Sequence, residues 1–201
     1  MKKFELTSEF VTFLGKKLFR IKALISFGNV EEGELGGYVE KEENLSNDGN
    51  AWVSGDAWVY GDAEVSGDAW VYGDARVYGD ARVYGDARVS GNAWVYGNAW
   101  VSGNAWVSGD AWVYGDAWVY GDARVCGNAD YATVHGFGSE YRTTTFFRTK
   151  AGDIGVRCGC FYGTLEEFRA KVKETHGETK TAKEYLMVAD LMEFRFSKEE
   201  A

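Results

Sequence analysis

Gly49-Asn50-Ala51-Trp52-Val53-Ser54 is the first of thirteen uninterrupted hexapeptides, Gly-(Asp/Asn)-Ala-x-Val-x, the last of which ends at Cys126. The first variable position holds only Trp, Arg or one Glu, and the second only Tyr, Ser or one Cys. Ala and Val are two residues apart, so an extended segment points both to the same side. Gly-Asp or Gly-Asn then turns the chain, because Gly tolerates positive φ and the acidic or amide side chain can bond nearby backbone. A short strand, a turn and a small inward pair every six residues predict a solenoid whose triangular coils take three hexads each.

Coils of eighteen residues sort the variable positions into columns. The first face carries Trp52, Trp70, Arg88, Trp106 and Arg124. The second carries Trp58, Arg76, Trp94 and Trp112, flanked by an unbroken column of Tyr60, Tyr78, Tyr96 and Tyr114. The third carries Glu64, Arg82, Trp100 and Trp118. Alternation with the inward Ala and Val makes all of these point outward. Two readings of outward Trp follow. Rings and guanidiniums can stack on neighbours one strand spacing away, or several Trp per face can form a contact surface larger than monomers normally expose. The second face, with its Tyr column, is the best candidate for partner contact, and a planar ligand between rings is a further reading.

An aliphatic residue followed four positions later by a small one, as in Val53 then Ala57 and Val59 then Ala63, resembles the hexapeptide-repeat family over 78 residues. The resemblance implies a mainly β fold, a left-handed parallel β-helix, and commonly a homotrimer. Gly33-Glu34-Leu35-Gly36-Gly37-Tyr38-Val39, with Asn44-Leu45-Ser46, is similar to the leader of a hexapeptide-repeat group of bacteria and phages whose members carry transferase or polymer-forming labels. Arg142-Thr143-Thr144-Thr145-Phe146-Phe147-Arg148 through Cys158-Gly159-Cys160 resembles a tail found in phage and prophage members. The expected division is a β cap and leader over 1–48, the β-helix over 49–132, and a small C-terminal ββαα domain over 133–201. In that domain Tyr141–Thr149 and Ile154–Phe161 form a hairpin. Thr164-Leu165-Glu166-Glu167 is a capping box that starts one helix at Leu165, and a second helix spans about Ala182 to Phe194.

Formal charge −9 and a sequence pI of about 4.8 argue against general nucleic-acid binding, which needs a basic surface. No apolar run is long enough for a signal peptide or a membrane span, and three cysteines fit a reducing cytoplasm better than a disulfide framework. The Asp/Asn column reads as turn chemistry rather than calcium ligation, and no cofactor is expected. Family acyltransferases use a His on a coil or on a loop expelled from one, beside a channel between subunits. The repeat here has neither, which leaves His135 as the sole candidate general base. Cys158 and Cys160, one residue apart on a strand and so projecting the same way, are zinc candidates with His176 or Cys126, at a spacing tighter than usual. Arg142, Thr144 and Arg148 would share one strand face, joined by Arg157 from the partner strand, to hold a phosphate or nucleotide. The function expected is a non-catalytic binding protein that sequesters a nucleotide-like signal or masks a host protein. A transferase with a site between subunits and a passive polymer-forming element are the alternatives.

Overall fold

The computed structural model describes residues 2–197. Each hexad makes one two-residue strand, so thirteen strands, β4 to β16, recur at six-residue intervals from Trp52–Val53 to Arg124–Val125. Strands eighteen residues apart pair in parallel: Trp58 with Arg76, Arg76 with Trp94, and Trp94 with Trp112 on the second face. The other two faces keep the same register, and three sheets enclose the bore. Every repeat Ala and Val is buried in it. The corners are as regular. Gly67 has φ +70°, and a Cβ there would lie 2.9 Å from the backbone nitrogen of Gly85 in the next coil, so a side chain meets both strain and collision. Corner amides carry the ladder across the turn, with Asp56 N–H donating to the Gly73 carbonyl at 3.0 Å.

An open solenoid exposes unpaired backbone at both ends, and this chain covers each with matching chemistry. Strands β1 (Phe4–Phe13), β2 (Lys16–Ala23) and β3 (Leu35–Val39) extend the second-face sheet to seven strands in the order β1-β2-β3-β5-β8-β11-β14. First-coil carbonyls facing this end receive donors. Asn44 Nδ2 donates to Gly61 and Ala63 carbonyls at 3.0 and 2.8 Å, and the buried Lys3 ammonium donates to that of Ala51 at 2.9 Å. Trp52, expected to point into solvent, is fully buried here, with Phe27 edge-on against it at 5.5 Å. It belongs to the cap's core rather than to a displayed column.

At the other end, last-coil amides receive acceptors. Trp112 N–H donates to Asn128 Oδ1 (2.8 Å), Trp118 N–H to Thr145 Oγ1 (2.9 Å), and Cys126 N–H to Asp130 Oδ2 (2.9 Å). The degenerate hexad 127–132 leaves the coil: β17 (Tyr131–Val134) pairs antiparallel with β18 (Thr144–Arg148). With β19 (Ile154–Cys158) and β20 (Phe161–Thr164) these make a four-stranded antiparallel sheet, so the C-terminal unit is ββββαα rather than ββαα. One sheet face lies on the solenoid through Thr145, Phe147 and Arg157. The opposite face presents Phe146 and Val156 to α1 (Leu165–His176) and α2 (Lys180–Phe196). Thr164 and Glu167 form the expected reciprocal capping box at the start of α1.

Candidate functional site

The outward columns stack. On the second face Tyr60–Tyr78, Tyr78–Tyr96 and Tyr96–Tyr114 have ring centroids 4.9, 5.0 and 5.4 Å apart and nearly parallel planes. Beside them the Arg76 guanidinium lies between Trp58 at 4.4 Å and Trp94 at 4.9 Å, and Trp94 stacks on Trp112 at 5.2 Å. Exposure changes along the column. The β1–β2 hairpin places Phe13 against Trp58 and Tyr60, leaving Tyr60 8% exposed, whereas Trp112 and Tyr114 at the far end are 44% and 52% exposed. Burial, with Tyr78 adding to it, pushes the Tyr60 hydroxyl up to about 12.

Arg142, Thr144, Arg148 and Arg157 do not come together as one face. Thr144 pairs with Cys158 and Thr145 with Arg157, so Arg157 projects from the side of the sheet opposite Thr144. Its guanidinium lies over Trp118 at 4.5 Å and completes the third-face column Arg82–Trp100–Trp118. Arg148 donates to the Phe196 carbonyl and covers that residue's ring at 5.2 Å. Thr144 Oγ1 donates to Cys158 Sγ at 3.2 Å. Arg142 is exposed and 3.7 Å from Glu140. A different grouping replaces the expected one. Arg142, Arg157 and His135 line a cleft of about 470 Å³ at the third-face junction, with Asp116, Trp118 and Thr143. His135 Nδ1 sits 3.0 Å from Thr143 Oγ1 there.

Cys158 ends β19 and faces the helices, whereas Cys160 is exposed in the tight turn made by Gly159 at φ +57°. The expectation that both project together from a strand is therefore corrected. They share a cleft of about 300 Å³ with His176, whose ring stacks on Tyr185 at 5.7 Å. Among the described residues no three His, Cys, Asp or Glu side chains gather as a metal site.

The second face ends in another cleft, of about 490 Å³. Trp112 and Tyr114 contribute from the last coil, Asn128, Tyr131 and Thr133 from the chain leaving it, and Met192 and Arg195 from α2. Burial raises the Tyr131 hydroxyl well above its ordinary value, although the Tyr114 backbone opposes the shift through a hydrogen bond. Sequence reasoning found Trp112 and Tyr114 through the period. It named Arg157 for a different grouping and missed Tyr131, Arg195 and the Arg157–Trp118 contact, because nothing local says which helix or sheet face docks on the solenoid.

Comparison with known families agrees with this architecture. The YdcK beta solenoid repeat model matches six overlapping windows, residues 69–85, 75–91, 81–97, 87–103, 93–109 and 99–115. The chain is thus a repeat β-solenoid protein. A search of curated proteins finds no match. No helix among the described residues is long and apolar enough to cross a membrane.

Proposed function

We propose that the protein is a non-catalytic binding protein that captures a nucleotide-like small molecule where the solenoid meets its C-terminal unit. One observation carries the reading. Two aromatic columns run into clefts at that junction, and an arginine from the C-terminal unit lines each: Arg195 beside Trp112, and Arg157 over Trp118. Their volumes fall in the range of small-molecule sites, and flat rings with guanidiniums suit a heteroaromatic anion. The solenoid is the rigid support. On the resemblance of leader and tail to phage proteins, the captured molecule is a host signal, held in the cytoplasm by a homotrimer.

Calorimetric titration with cyclic and linear nucleotides is expected to give saturable binding, and silence across the panel would sink the proposal. Native mass spectrometry of protein from its own host reads subunit number and any retained ligand together. The transferase reading keeps one point in its favour, since His135 shares a cleft with Arg142 and Arg157. Turnover of an acyl or sugar donor that His135→Ala abolishes would favour it instead.

A further inference from the structure

The three columns finish differently. On the first face the last rung is Arg124, 4.6 Å from the Trp106 ring and bonded to the Asn104, Asp122 and Ala123 carbonyls. On the third, Arg157 from the C-terminal sheet supplies the rung above Trp118. The second face has Trp58, Arg76, Trp94 and Trp112, and the eighteen-residue step next falls on Asp130. That side chain turns back to accept the Cys126 and Gly127 amides at 2.9 and 3.0 Å, so it cannot serve as a rung. Among the described residues no ring or guanidinium covers the face of Trp112 turned away from Trp94, and the ~490 Å³ cleft begins there.

We propose that a planar nucleobase carrying a phosphate takes the fifth rung of the second-face column, stacked on Trp112 with Arg195 on its other side. The chain itself already builds a flat ring between indole and guanidinium at this spacing: Trp94 lies 4.9 Å from the Arg76 guanidinium on one side and 5.2 Å from Trp112 on the other. Arg195 can supply the cation: among the described residues its guanidinium's one hydrogen bond is a long one, 3.5 Å, to the Asn128 carbonyl. Trp112 is held for the task, because Asn128 Oδ1 fixes its amide and Trp94 backs its ring. The ring gives base stacking without sequence-like selection, and the guanidinium favours a charged over a neutral nucleoside.

This inference rests on the nucleotide-binding reading above and is tested with the full chain. Calorimetry with AMP, GMP, adenosine and ribose 5-phosphate is run on the wild type, Trp112→Leu, Trp112→Phe and Arg195→Gln. Trp112→Leu should weaken AMP by roughly tenfold or more, as loss of a stacking platform does, and Trp112→Phe should restore most of it. Arg195→Gln, an exposed change that spares the core, should weaken AMP more than adenosine. Ribose 5-phosphate should not bind. Equal AMP affinity in the wild type, Trp112→Leu and Arg195→Gln would overturn the site while leaving nucleotide capture standing. Absence of binding by every base-containing probe would overturn both.

Discussion

Lys3 and Tyr60 lie at the same end of the solenoid and titrate in opposite senses. Burial lowers the Lys3 ammonium from its ordinary 10.5 to about 8, against the pull of Asp48 and Asp68. Between those values the unfolded chain binds the extra proton, so this group makes stability rise with pH across that window. Tyr60 is raised from 10.0 to about 12, so its contribution is complete below pH 10.0 and lost as pH climbs through about 12. Denaturant midpoints measured across the alkaline range should flatten at the lower window in Lys3→Met. The steep loss above it should soften in Tyr60→Phe. The Tyr column was legible in the sequence because its period is fixed. Lys3 was not, since nothing in Met1-Lys2-Lys3 separates a lysine in solvent from one bonded to first-coil carbonyls.

Among elements, β18 and β19 decide how the solenoid is closed. Their register sends Thr145 and Arg157 to one side and Thr144 and Cys158 to the other. Only the first pair reaches the last coil, where Thr145 accepts from the Trp118 amide and Arg157 covers the Trp118 ring. Thr145→Val leaves the half-buried Trp118 amide without its acceptor, at a cost of about 1 kcal/mol. Arg157→Ala removes a cation–π contact of about 0.5–2 kcal/mol. Hydrogen exchange is expected to show faster loss of protection at the Trp118 amide in both variants, with the interior amides of the preceding coils unchanged. Two hairpin strands and a capping box could be read locally, so the helix start at Leu165 was predictable. The pairing of Tyr131–Val134 with β18 was not, because it joins residues the repeat pattern assigns to the coil.

At the scale of the molecule, each coil meets only its neighbours, so the solenoid behaves as a near-linear array whose length is adjustable in fixed steps. Removing residues 79–96 excises one full coil and brings Tyr114 over Tyr78 and Trp112 over Arg76. That variant should unfold cooperatively at a lower temperature in circular dichroism melts. Removing 79–81 moves Val83 onto the solvent-side turn and sends Tyr84 and Asp86 into the bore, and should give an aggregated product without a melt. Removing 79–84 keeps the inward pattern but turns the C-terminal unit by one face relative to the N-terminal cap. The three-faced body was readable from periodicity alone. The junction clefts were not, because they form where a periodic surface meets an aperiodic one.

The paired indoles have an optical consequence. Trp94 on Trp112 at 5.2 Å and Trp100 on Trp118 at 4.8 Å hold two chromophore pairs close in a rigid chiral frame. Their electronic transitions must couple, so the native chain carries exciton bands that isolated tryptophans lack. Both pairs end at the C-terminal junction. The molecule therefore reports in its own absorption whether that end is closed.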